Sequence, residues 1–482
     1  MAARDFILFA MEYTSATFWL CLLPALAVLL AGDRVLRGRE AARHLFHRVM
    51  MLVVSVVLIS LSGWVTLGIF AAVSMAAYGL CHWGLHYGAR GRRVMLWFTI
   101  PLLLLPLLYY KYGYFIGVNV FREQWDTLKD LVIPLGISFY TFQIIGFCID
   151  TLTKDGQGQM PGLLDYLNFC AFFPRFVAGP IERRAELLPQ MQRMELHFTE
   201  ENVSLGLRYI ILGLFFKMAL ADNLAYTFWD KYAWLDNAWM VWCNNLLFTF
   251  RIYFDFAGYA LSAYGLAKCM GITLRMNFLS PYTATNVRDF WRRWHTSLTS
   301  WFTEYIYFPM GGSRTKRWAL NMIIVFLISG LWHGAAWNFV IWGGLAGVAL
   351  VIHRWFRNHG WQLWAPLGWL LTFGMTVLTW MFFYDTSPGL LSRHLQWIFS
   401  ADAYNISDFV FLCEWRQRAL ASACIIPILL LSFAVLLGEY WGQRKCEDPY
   451  HLLLHPYACG VEVFLTILLQ SGATNQFIYA AF

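Results

Sequence analysis

Apolar positions in this chain fall in long continuous runs rather than in alternation. Residues 18–30, 50–77 and 95–110 contain no charged side chain at all. A helix that crosses a bilayer needs about 20 mostly apolar residues, whereas a transmembrane barrel shows short alternating segments. The pattern therefore predicts an all-α, polytopic membrane protein. Its spans lie near 14–31, 48–63, 64–80, 95–113, 131–150, 203–221, 238–268, 319–335, 337–353, 367–384 and 418–438, about eleven in all, with a further apolar run at 457–470. The 238–268 stretch is longer than one crossing and is expected to tilt or break.

Two stretches do not fit simple crossings. Residues 162–184 contain Phe172-Phe173-Pro174-Arg175-Phe176-Val177-Ala178-Gly179-Pro180. Two prolines and a glycine so close together forbid a continuous helix. Broken backbone at membrane depth is tolerated only where protein or a water-filled cavity surrounds it, so the stretch reads as a re-entrant element on the cytoplasmic side. In 289–307, helical spacing puts Phe290, Trp294, Leu298 and Trp301 on one stripe and Arg288, Arg292 and His295 on another. That predicts one amphipathic helix at the interface.

Composition agrees with the pattern. Of the 482 residues 59% are hydrophobic and 13% charged, against about 25% charged in soluble domains. The net charge of +7 comes from loop Lys and Arg, so it reports topology rather than nucleic-acid binding. The basic loops at 34–48, 90–93, 154–184 and 288–317 are predicted to be cytoplasmic, and 119–129 external. The first apolar run follows Arg4, Asp5 and Glu12 and precedes Arg34, Arg37, Arg39 and Arg43, which predicts a retained helix rather than a cleaved signal. The ten cysteines form no C-x-x-C and no metal-finger spacing. With no repeat and no polar domain, the chain reads as a single membrane domain over 1–482.

His333, in Gly330-Leu331-Trp332-His333-Gly334-Ala335-Ala336-Trp337, lies between two apolar spans. An ionisable side chain at membrane depth is costly and marks a functional site by default, and imidazole is the usual general base near neutral pH. The alternative is a histidine hydrogen-bonded between helices. His295 follows Arg292 and Arg293. Their guanidinium forks match the phosphate oxygens of a donor, or else they form a snorkelling face. Arg314, Lys316 and Arg317 after Gly311-Gly312-Ser313 offer a second anion cradle or a topogenic loop. Asp255 needs a buried partner, and Arg251, one helical turn earlier, is the local one. No nearby ligands support a metal at His295 and His333.

Taken together these residues resemble the membrane-bound O-acyltransferase (MBOAT) family, in its AlgI-like alginate O-acetyltransferase branch, which is related to DltB. The resemblance covers roughly residues 100–482. It rests on Ile133-Pro134-Leu135-Gly136-Ile137-Ser138-Phe139-Tyr140, Phe172-Phe173-Pro174 through Gly179-Pro180-Ile181, Lys217 to Asp222-Asn223-Leu224, Tyr253-Phe254-Asp255-Phe256, Asn277-Phe278, Phe290-Trp291-Arg292-Arg293-Trp294-His295, Gly311-Gly312-Ser313-Arg314, Gly330-Leu331-Trp332-His333-Gly334-Ala335, and the tail at 473–479. It departs where Thr303-Glu304-Tyr305 and Tyr384-Asp385 stand in place of the branch's usual Arg-Asp-Tyr and Arg.

The resemblance implies variable N-terminal helices over about 1–115, a catalytic funnel region over about 130–345 and C-terminal helices over about 346–482. It implies His333 and His295 as the catalytic histidines and Arg292, Arg293, Arg314 and Arg317 near the donor. It further implies acetyl-CoA as a cytoplasmic donor with no bound cofactor, an external or periplasmic acyltransferase partner, a bacterial inner membrane, and an exported polysaccharide such as alginate or cellulose as the acceptor. His333 then either deprotonates an acceptor hydroxyl or carries the acetyl group transiently. D-alanyl transfer from a carrier protein in the manner of DltB, lipid or sterol acylation, transport, and a scaffold role are the alternatives at this point.

Overall fold

The apolar runs fold as helices whose boundaries fall within about eight residues of those read from the sequence. The structure, a computed structural model, describes residues 12–129, 131–153, 159–194, 196–225, 237–385, 387–407, 418–446, 448–470 and 478, and these contain no strand. Two compact units are formed. Among the described residues one comprises 12–210 and 259–276, the other 211–258, 277–470 and 478. In chain order the first holds α1 (Ala16–Val35), α2 (Glu40–Leu61), α3 (Trp64–Gly84), α4 (Ala89–Phe121), α5 (Ile137–Thr153), α6 (Leu163–Ala171) and α7 (Arg184–Arg193). Two helices, α8 (Glu200–Leu224) and α9 (Ala238–Cys269), supply residues to both units. The second unit continues with α10 (Val287–Arg293), α11 (Thr296–Phe302), α12 (Trp318–His333), α13 (Trp337–Asn358), α14 (Ala365–Tyr384), α15 (Pro388–Phe399), α16 (Arg418–Cys446) and α17 (Pro456–Leu469).

Among the described residues eight helices are long and apolar enough to cross a membrane: α1–α4, α8, α13, α14 and, over Ile425–Cys446, α16. Three more, α5, α12 and α17, are apolar but shorter. The chain is a multi-pass membrane protein. Contrary to one part of the sequence reading, α9 does not break. It is a single helix of 32 residues, about 48 Å long at 1.5 Å per residue, so in crossing a ~30 Å hydrocarbon layer it must tilt or project beyond the layer.

In the first unit α5 packs against α3 and α4, and all of its residues except Ile149 and Thr153 are buried. A helix that is apolar all round belongs inside. Among its buried polar side chains, Gln143 is satisfied twice: Nε2 donates to Phe169 O (3.0 Å), and Oε1 accepts from Glu182 N (3.3 Å). The proline-rich stretch is broken as expected, running from α6 through a single 3-10 turn (Phe173–Arg175) into extended backbone. Its interruption is stabilised by Arg175, which is buried and donates from Nη2 to Phe169 O and Cys170 O, both at 2.7 Å. These are carbonyls left open at the end of α6, the groups that any helix terminus must satisfy.

In the second unit α12 and α13 form an antiparallel hairpin in backbone contact. A Cβ on Gly330 would lie 2.1 Å from Phe339 O, and one on Gly343 2.1 Å from Phe326 O. Small residues at helix interfaces are how apolar helices approach this closely in a membrane. Asp255 does not pair with Arg251, as local spacing predicts. It pairs with Lys217, whose Nζ lies 2.8 Å from both Asp255 Oδ1 and Asp222 Oδ1, while Asp255 Oδ2 accepts from Ile478 N (2.7 Å). Asp385, one of the departures from the family pattern, has a partner of its own: His394 Nδ1 on α15, with both side chains buried.

Candidate active site

The 289–307 stretch is two helices, not one amphipathic helix. The chain leaves α10 at Trp294, passes through His295 with φ 43°, and re-enters a helix at Thr296. Neither Pro nor Gly causes the break. The segment before α10 does, because Leu279 N donates to Arg293 O (3.0 Å) and Thr296 N donates to Asn277 O (2.9 Å). These two bonds flank His295 and use groups a continuous helix would need. The clamp is itself held by a buried hydroxyl pair. Tyr450 OH donates to Phe278 O (3.2 Å), Tyr253 OH donates to Glu439 Oε1 (2.6 Å), and the two hydroxyls are 3.5 Å apart.

As a result His295 leaves the basic face and turns inward, where it is 2% exposed. Its ring meets Phe256 edge-on at 4.8 Å and Trp332 at 6.0 Å. Burial pushes its pKa down to about 3, so the imidazole is neutral across the physiological range. The left-handed backbone also limits what can replace it. Asn tolerates this region, whereas a β-branched residue is strained there. His295→Asn is expected to keep the thermal midpoint near wild type, and His295→Val to lose about 1–3 kcal/mol. Equal midpoints for the two variants would show that the backbone imposes no such demand.

His333 is the last residue of α12 and is 3% exposed. Three aromatic rings stand edge-on around it: Trp332 at 4.9 Å, Trp342 at 5.2 Å and Phe383 at 5.3 Å. Trp332 thus touches both histidines. Both also line one cavity of about 360 Å³ within the second unit. Met322, Val325, Phe326, Ser329 and His333 present one face of α12 to it, a length of about 16 Å at 1.5 Å per residue. The cavity is thus elongated along about three turns of α12, with His333 at one end of that face.

The other end of the cavity is basic. Because α13 runs antiparallel to α12, its last turns bring His353, Arg354 and Arg357 to the end remote from His333, where Arg288 and Ser313 join them. Arg354 stacks its guanidinium 4.1 Å over Trp318, and its buried Nε has no hydrogen-bond partner. Burial and the nearby Arg357, Arg292 and Arg354 push the Arg288 pKa down, the mark of cations gathered together. Among the described residues no acidic side chain pairs with Arg288, Arg354 or Arg357.

The arginines picked from the sequence sit elsewhere. Arg292 is exposed and contributes its charge beside Arg288 without lining the cavity. Arg293 is engaged by Asp289 (2.7 Å), Thr283 and Gln443. Arg314 and Arg317 are exposed on the turn before α12, and neither lines the cavity. Arg354 and Arg357 were missed because a basic pair ending an apolar span reads as a topogenic anchor. Their spacing of three, with His353 beside them, was the available signal of one shared helix face. No three His, Cys, Asp or Glu side chains among the described residues are placed to hold a metal.

Comparison with known proteins bears on this geometry. Residues 94–387, which include both histidines and the basic mouth, match the membrane-bound O-acyltransferase family, MBOAT. The chain is similar to the peptidoglycan O-acetyltransferase of Helicobacter pylori, at 37% identity over 60% of this chain and 62% of that protein. It is similar to the "probable alginate O-acetylase AlgI" of Pseudomonas aeruginosa, at 31% identity over 90% of this chain and 82% of that protein. It is also similar to the teichoic acid D-alanyltransferase of Streptococcus thermophilus, at 30% identity over 48% of this chain and 59% of that protein. The chain thus spans less than two thirds of the first and third of these relatives and about four fifths of the second.

Proposed function

The chain belongs to the membrane-bound O-acyltransferase family, and on that premise we propose that this O-acyltransferase takes an acetyl group from acetyl-CoA and passes it toward an exported polysaccharide. One observation carries the donor assignment: a cavity elongated along α12, with His333 at one end and four basic side chains, Arg288, His353, Arg354 and Arg357, at the other. A thioester on a long arm that ends in phosphates has that shape and that charge. Guanidinium groups without acidic partners suit phosphate oxygens. The mouth is the cytoplasmic end by the positive-inside rule, and the acceptor hydroxyl comes from the other side.

In this reading His333 accepts the proton of the acceptor hydroxyl as its oxygen attacks the thioester carbonyl. The C–S bond breaks, and the departing thiolate takes the proton from the imidazolium. Neutral His295 serves as a hydrogen-bonding group. The polysaccharide acceptor is supported by two relatives whose names specify peptidoglycan and alginate. A bacterial inner membrane and a periplasmic acyltransferase that completes delivery to the polymer belong to the same proposal.

The test is release of free CoA from acetyl-CoA by the purified protein in lipid, with alginate and peptidoglycan fragments supplied as hydroxyl acceptors. Replacing both Arg354 and Arg357 by Gln is expected to raise KM for acetyl-CoA at least ~10-fold, since hydrogen bonds to charged groups contribute about 1.5–3 kcal/mol each, with kcat changed far less. A KM that does not move would detach the mouth from the donor. If wild type consumes no acetyl-CoA but accepts an acyl group from a carrier protein, the donor assignment is wrong and the D-alanyltransferase relative is the better guide.

A further inference from the structure

The cavity reaches His333, and what stands behind that residue bears on which acyl groups it can accept. Trp342 and Phe383 both stand edge-on to the imidazole and are 4.9 Å from each other. Each is backed in turn. Trp342 stacks on Trp380 at 5.5 Å, and Phe383 meets Phe339 at 4.8 Å and Trp380 at 5.2 Å. Trp342, Trp380 and Phe383 are at most 1% exposed. The backbone carrying them is pinned as well. Asn338 Nδ2 donates to Phe382 O (2.7 Å), and Gly330 and Gly343 hold α12 and α13 in direct contact.

We propose that Trp342 and Phe383 set an acyl-length limit, so that the enzyme accepts a two-carbon acyl group and rejects longer ones. The inference rests on the thioester reading above and deepens it. A thioester carbonyl placed at His333 has its acyl tail pointing past the imidazole, into this wall. An acetyl methyl ends there. Each further methylene must displace a ring that has other rings behind it, and close-packed interiors resist such insertion.

The experiment compares acetyl-, butyryl- and octanoyl-CoA by free-CoA release in the whole protein in lipid, with alginate and peptidoglycan fragments supplied as acceptors, for wild type, Phe383→Ala and Trp342→Phe. Wild type should prefer acetyl over butyryl at least ~10-fold in kcat/KM, the discrimination a pocket achieves on methylenes, and should not use octanoyl-CoA. Either substitution should cut the acetyl-to-butyryl ratio at least ~10-fold, whatever it does to the absolute rate. Equal use of all three donors by wild type overturns the limit alone. So does an unchanged ratio in folded, active variants. Consumption of none of the three overturns the thioester reading and the limit with it. If Phe383→Ala does not fold, the wild-type panel and Trp342→Phe still decide.

Discussion

His333→Ala is expected to lower acyl transfer by about 10²- to 10⁴-fold, the usual contribution of a positioned general base, while KM for the donor changes little. The basic mouth proposed to hold the phosphates is untouched, being at the opposite end of the cavity. The fold should survive, because truncation only extends an existing cavity, and Trp342 and Phe383 still pack on Trp380. Initial rates of CoA release, with the thermal midpoint as a control for folding, would measure this. A normally folded His333→Ala protein with wild-type rates would remove the residue from the chemistry.

Lys217→Met should have the largest effect on stability. Lys217 Nζ is 2.8 Å from two carboxylates, Asp222 and Asp255, and all three residues are buried. Removing the cation leaves two buried anions facing one another. Breaking buried ion pairs in this one-sided way costs about 3–5 kcal/mol, enough to consume much of the stability of an ordinary domain. The expected result is a steep drop in thermal midpoint or in recovered protein. Adding Asp255→Asn to Lys217→Met should restore part of the loss, because the double change removes one uncompensated charge. A Lys217→Met protein as stable as wild type would mean that the cluster contributes nothing net.

Much of this was legible in the sequence for a simple reason. Twenty apolar residues in a row have few alternatives, so the spans were readable, and proline chemistry made the break at Pro174 and Pro180 readable too. What failed was decided by contacts distant in the chain. Helical spacing made 289–307 one helix, but Asn277 and Leu279 compete for the backbone on both sides of His295. Local spacing gave Asp255 to Arg251, but Lys217, 38 positions earlier, reaches it. Arg292 and Arg293, read beside His295, lie off the cavity, whereas the α12–α13 hairpin brings Arg354 and Arg357 to its basic end. His333 stood out in the sequence because a titratable residue between two apolar runs is rare, and His295, which helical spacing put on the basic face, turns inward to line the same cavity.

The bond from Ile478 N to Asp255 Oδ2 spans 223 positions. Its consequence concerns biosynthesis. Lys217, Asp222 and Asp255 leave the ribosome early, yet Asp255 lacks its backbone donor until residue 478 has been made. Until then the growing protein carries an incompletely satisfied carboxylate in its interior, where such a group is costly. A chain cut short before that residue would carry this defect permanently. Membrane quality control would then have a polar flaw by which to tell finished copies from aborted ones.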